Sequence, residues 1–250
     1  MSLQALYYTE KIAVAARWQQ GCSNVPENLL QMDGYTSANQ RRFLNVLCSG
    51  FECHYLEVGV FKGATLLSAA FRNRGEFTGI DNFEQGTRDE AAYNIASNAT
   101  GMITGGANVN LVEANFWLMS REKLPRCNVF FFDANDGHNK RSSRALEHMR
   151  YALEDPFIMI VDNWSNLVVQ ESATLALELL GWSTFSSIQL MSDDDCHIDQ
   201  WWSSWLVAVV QKRCLPTPPY VNLPNGATPL WAIRERRQQG LISVKDYEKG

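Results

Sequence analysis

The sequence predicts an α/β chain: a mostly parallel seven-stranded sheet, helices on both faces, and a C-terminal antiparallel hairpin. Three observations predict it. Tyr55 to Thr65 reads as a buried strand, a tight glycine turn and the start of a helix. Strand and helix patterns then alternate as far as Leu180, which requires parallel strands with crossover helices. Two final strands are joined by a link too short and polar for a parallel crossover.

The elements follow in order. Ser2 to Gln20 carries Leu3, Leu6, Tyr7, Ile12, Ala15 and Ala16 at helical spacing, and Gly21 ends it. A second amphipathic helix carries Phe43, Leu44 and Leu47, with Ser37 as its N-cap. Both precede the first strand, Tyr55 to Val58, so they are placed to cover the turn or to form a dimer face. Gly59 and Gly63 let the chain turn sharply into a helix that ends at Asn73-Arg74-Gly75. Strand two is Glu76 to Ile80, ending at Asp81, with a polar helix after it. Thr100 to Asn108 holds three glycines and reads as loop. Strand three is Val109 to Val112. Strand four, Asn128 to Phe132, is apolar after its first residue and therefore central. A helix from about Lys140 to Leu153, strand five from Phe157 to Val161, and a helix from Leu167 to Leu180 complete the alternation. Ser183 to Met191 and Ser203 to Lys212 form the hairpin. The organisation is a helical cover (residues 1–50), a core (51–212) and a Pro-rich irregular tail (213–250), one structural domain overall.

Ligands of such sheets bind at the carboxyl ends of the strands. A dinucleotide turn wants glycine where this chain has Phe61, so close diphosphate contact is disfavoured while a phosphate-free nucleoside fits. Glu57 would repel phosphate and suits a cationic ligand. Asp81 is positioned to accept both ribose hydroxyls. The fourth and fifth strand ends bring Asp133, Asp162 and Asn163 to one edge of the turn. Two carboxylates and an amide oxygen suit Mg²⁺.

The pattern Glu57, Gly59, Gly63 resembles motif I of the class I S-adenosylmethionine (SAM) methyltransferases, E-x-G-x-x-x-G. The Asp133, Asp162-Asn163 set resembles the metal-dependent O-methyltransferases of the catechol, caffeoyl-coenzyme-A and macrocin types, across roughly Gly34 to Lys212. The resemblance implies a Rossmann-like methyltransferase fold. It implies cofactor contacts from Glu57, Gly59, Phe61, Gly63, Asp81 and Asp133, adenine contacts near Ala114 and Asn115, and a metal on Asp133, Asp162 and Asn163. Catechol-type enzymes carry lysine three positions after the first aspartate; here that residue is Asp136. Candidates for the general base are therefore Asp136, His138 and Lys140, of which His138 has the most suitable intrinsic pKa, about 6.5.

The implied activity is methyl transfer from SAM to a hydroxyl of a small molecule, with Mg²⁺ lowering the hydroxyl's pKa. Alternatives are a metal-independent N- or O-methyltransferase, or a non-catalytic SAM- or nucleoside-binding module. A net charge of −5 disfavours a nucleic-acid backbone as partner. No run is apolar for the length of a membrane span, and no signal peptide is evident. Six scattered cysteines without a C-x-x-C pair read as buried thiols of a cytoplasmic protein. A homodimer is a possible assembly. Trp164, Trp201 and Trp202 either line an acceptor pocket or pack in the core. His54, His148 and His197 are assigned no chemistry, and Asp193-Asp194-Asp195 reads as a solvated loop.

Overall fold

The computed structural model describes residues 2–17, 23–133, 142–191 and 204–212. Seven strands among them form one sheet: β1 (Glu52–Val58), β2 (Arg74–Asp81), β3 (Ala107–Glu113), β4 (Cys127–Phe132), β5 (Leu153–Val161), β6 (Ser183–Leu190) and β7 (Trp205–Gln211). The spatial order is β3-β2-β1-β4-β5-β7-β6. The first five are parallel, and β7 runs antiparallel to both β5 and β6, so the predicted hairpin is inserted with its second strand innermost. After β1 the chain builds outward through β2 and β3, then returns to add β4 on the other side. The switch of direction lies between β1 and β4, where a doubly wound sheet opens a ligand crevice.

Register makes that crevice flat-floored. Val58 pairs with both Ile80 and Phe132, and Phe132 pairs with Val161. The next residues on the four strands are Gly59, Asp81, Asp133 and Asp162, in one row. The ladder continues into the row, because Gly59 N donates to Ile80 O and Asp133 N to Val58 O, each at 2.9 Å.

Apolar side chains fill both faces, as expected for central parallel strands. On one face lie α1 (Leu3–Arg17), α2 (Glu27–Leu30), α3 (Ala38–Leu47) and α4 (Ala64–Ala70), over Tyr55, Phe77, Phe131, Ile160 and Trp205. On the other lie α7 (Ser142–Met149) and α8 (Leu167–Leu180), over Leu56, Phe130, Met159 and Leu206. The front helices are thus part of the core. Ser37 caps α3 in a reciprocal box: its Oγ accepts from Gln40 N, and Gln40 Oε1 accepts from Ser37 N. Helix α8 matches its expected span and ends at Gly181, whose φ of 66° forms the C-cap.

Two expectations are corrected. The glycine-rich segment read as loop is mostly helix, α6 (Ala99–Gly105), directly after α5 (Arg88–Ser97). Its glycines serve close approach: a Cβ on Gly101 would overlap the Phe71 ring, and one on Gly105 would overlap the Arg72 backbone. Only Gly106, with φ 83°, acts as a terminator. Helix α7 stops at Met149, and β5 starts at Leu153, four residues before its expected beginning. Pro156 hid that extension. It has no N–H for the ladder, and the β4–β5 register shifts between Cys127 and Val129 to accommodate it. Cys48, Cys53 and Cys127 are buried free thiols. The tail (213–250), the hairpin link with Asp193-Asp194-Asp195, Trp201 and Trp202 lie outside the described residues. No helix among the described residues is long and apolar enough to cross a membrane.

Candidate functional site

The turn after β1 holds three residues in the left-handed region: Gly59 (φ 94°), Phe61 (φ 54°) and Gly63 (φ 88°). Glycine does this without strain; for Phe61 the conformation costs about 1–2 kcal/mol. Asp81 supplies the compensation. Its Oδ2 accepts from Val60 N at 2.7 Å and Phe61 N at 2.8 Å, and its Oδ1 accepts from Phe83 N at 2.7 Å. The Phe61 ring also stacks on Tyr35, with centroids 4.9 Å apart. Lys62 pairs with Asp33 at 2.6 Å and Glu90 at 3.1 Å, tying the turn to the front loop on one side and α5 on the other.

This alters the expectation for Asp81. A carboxylate offers about four acceptor positions, and three backbone N–H groups occupy three of them. The residue organises the turn first, and about one position is left for a ribose hydroxyl rather than two.

Glu57 is also corrected. It was expected to face a cationic ligand, yet it is fully buried beneath the turn. Its Oε2 accepts from Tyr55 Oη and its Oε1 from Thr65 Oγ1, each at 2.6 Å. Burial pushes its carboxyl up to about 8, against the two hydroxyl donors, which pull it down. The reason is local: Tyr55 lies on the same strand face two residues earlier, and Thr65 opens α4 directly above.

At the end of β3, Ala114 N donates to Asp81 O at 2.9 Å, which places Ala114 beside the row of acids. Asn115 Oδ1 accepts from Trp117 N at 3.0 Å and caps the short 3₁₀ turn Phe116–Leu118.

Asp133 and Asp162 meet. Their carboxyls are in hydrogen-bond contact, and the Asp133 carboxyl is held well above the usual range, by burial first and by the Asp162 charge second. Asp162 Oδ1 accepts from the Trp205 indole N–H at 2.8 Å, and Oδ2 accepts from Asn163 Nδ2 at 2.6 Å. Asn163 is exposed, with φ 57°, a conformation asparagine tolerates better than most side chains. The structure therefore brings all three expected oxygen donors together, but Asn163 presents its N–H to Asp162. Among the described residues, no three His, Cys, Asp or Glu side chains gather closely enough to hold a metal ion. Asp136, His138 and Lys140 lie outside the described residues.

Trp164, the best tryptophan candidate for an acceptor pocket, is fully buried in the core beneath α8. The sequence reading missed Trp205, Thr65 and Tyr35. Thr65 carried a signal as a hydroxyl residue in the first turn of the helix after the glycines, and Tyr35 lies in the Gly34 to Ser37 lead-in that shares the resemblance.

No family model and no curated protein matches the chain. Solved structures do. The O-methyltransferase TomG from Streptomyces achromogenes, involved in tomaymycin synthesis and solved in complex with SAM, shares 17% identity at a TM-score of 0.54, covering 84% of this chain and 100% of that one. Cofactor-bound Rv0187 from MTB shares 16% identity at a TM-score of 0.50, covering 83% and 90%. TrmN from Thermus thermophilus shares 12% at 0.51, covering 73% and 51%. With the strand order above, these likenesses show the fold: a Rossmann-like seven-stranded α/β sheet with a C-terminal antiparallel hairpin.

Proposed function

We propose that this chain transfers the methyl group of SAM to a hydroxyl of a small molecule, assisted by a divalent cation such as Mg²⁺. The observation that carries the reading is the contact between Asp133 and Asp162 in the row of strand ends that also holds the glycine turn. Two carboxylates pressed together in a half-buried site repel when ionised, and a hard cation relieves that repulsion, so the donor set fits Mg²⁺. The turn fits the nucleoside of SAM, because Phe61 stands where a diphosphate would need glycine. The SAM-bound O-methyltransferase with the same fold supports the pairing of cofactor and reaction.

Bound SAM supplies an electrophilic methyl on a sulfonium, and bound Mg²⁺ lowers the pKa of the acceptor hydroxyl. Asp133 and Asp162 would hold the cation through their carboxylates, and Asn163 would join them through its amide oxygen. Gly59 to Gly63 would seat the cofactor, Asp81 keeps that turn in shape and would accept one ribose hydroxyl, and Ala114 and Asn115 would lie beside the adenine. Glu57 supports the turn from below. The proton leaves through Asp136, His138 or Lys140.

Calorimetric titration with SAM, with and without Mg²⁺, tests this. The expected result is a SAM binding heat, plus a Mg²⁺ heat lost in Asp162→Ala. Absence of SAM binding overturns the methyltransferase reading. A second reading, metal-independent transfer, is favoured by the Asn163 N–H facing Asp162. Turnover that survives removal of all divalent metal by a chelator decides for it.

A further inference from the structure

We infer that the indole N–H of Trp205 positions the Asp162 carboxylate for cation binding, a role that rests on the metal-assisted reading above. The two residues face each other across the sheet. Val161 pairs with Leu206, so one step on, Asp162 stands opposite Trp205, 43 residues later in the chain. The Trp205 ring is fully buried, with the Phe131 ring 5.0 Å away and the Phe43 ring 6.4 Å away. An indole nitrogen is a donor only, and a buried donor needs an acceptor. Here the acceptor is Asp162 Oδ1 at 2.8 Å. Asn163 Nδ2 engages the other oxygen, so donors on both sides set the rotation of the carboxylate.

The preceding residue strengthens the clamp. Ser204 O accepts from Trp164 N at 2.8 Å, and Ser204 Oγ accepts from Ser165 N. Strand β7 thereby grips the whole turn that carries Asp162 and Asn163.

Trp164 provides an internal control. It is as deeply buried and lies two residues from Asp162, but among the described residues its Nε1 has no hydrogen-bond partner. Removing that N–H changes packing without touching Asp162.

The test is titration of the full chain with Mn²⁺, followed by electron paramagnetic resonance in the presence of SAM, for the unmutated protein, Trp205→Phe and Trp164→Phe. Trp205→Phe is expected to weaken Mn²⁺ binding roughly 10- to 100-fold, as loss of a partner behind a metal ligand does, while Trp164→Phe stays within about twofold. Equal losses in both variants, or none in Trp205→Phe, overturn the inference. If the unmutated chain binds SAM but not Mn²⁺, the metal reading fails first and takes this inference with it. A second measurement needs no variant. In a ¹⁵N–¹H spectrum of the unmutated protein, the Trp205 indole resonance should move on addition of Mg²⁺ and the Trp164 indole should stay in place. An unmoved Trp205 resonance at saturating Mg²⁺ overturns the inference even if Trp205→Phe fails to fold.

Discussion

Thr65 Oγ1 donates to Glu57 Oε1 at 2.6 Å, joining the helix above the glycine turn to the strand below it. The acid it reaches is fully buried, with its carboxyl pushed up to about 8 from an ordinary 4.5. The folded protein therefore binds this proton more tightly than the unfolded chain does. Glu57 carries no penalty below pH 4.5, and stability is lost progressively as pH rises towards 8. Glu57→Gln keeps the neutral shape and removes the titration. Urea unfolding at pH 5 should find the two proteins similar. At pH 9 the variant should be more stable than the unmutated protein by on the order of 3–5 kcal/mol. Parallel stability profiles across this range would exclude a buried, titrating Glu57.

Asp81 accepts from three backbone N–H groups, and an asparagine can present only one oxygen to them. Asp81→Asn should lower stability by about 1–3 kcal/mol through the lost charged hydrogen bonds. It should also weaken SAM binding at least about tenfold, because the turn loses its shape. Thermal melting and calorimetry read the two effects. Unchanged stability with weakened binding would mean that Asp81 serves the ligand alone.

Phe61 separates backbone strain from ring contact. Phe61→Ala keeps the left-handed conformation and loses the Tyr35 stack, whereas Phe61→Gly loses the stack and the strain together. The glycine variant should be more stable than the alanine variant by about 1 kcal/mol, measured by denaturant unfolding. The reverse order would show that the turn relaxes to an ordinary φ when the ring is gone.

Gly101 touches the Phe71 ring where a Cβ would stand. Gly101→Ala should destabilise the chain by about 1–3 kcal/mol by overpacking. Added to Phe71→Ala, the same change should cost little, since the obstructing ring is absent. Additive costs in the double mutant would place the clash elsewhere.

Much of this site is legible in the sequence, for a physical reason. The carboxyl halves of β4 and β5 are unbroken apolar runs, Val129 to Phe132 and Phe157 to Val161, so Asp133 and Asp162 announce where those strands stop, and Asp81 closes β2 after Ile80. Direction is harder to read than position. Glu57 was correctly placed before the turn but aimed at a ligand, because the hydroxyls of Tyr55 and Thr65 become its partners only when α4 packs. The role of Trp205 depends on an antiparallel register set by the whole sheet, which no local pattern encodes. Helix α6 was hidden because glycine admitting a neighbour and glycine making a loop look alike in one sequence.

The inserted order of the last two strands bears on how the chain matures during synthesis. Until residues 204–212 emerge, β5 is an open sheet margin, and β6, although already made, has only the later β7 to pair with. The turn carrying Asp162 then lacks the grip of Ser204 and Trp205. A nascent chain can build the glycine turn from its first half, but the turn carrying Asp162 meets Ser204 and Trp205 only once β7 lies between two strands translated before it.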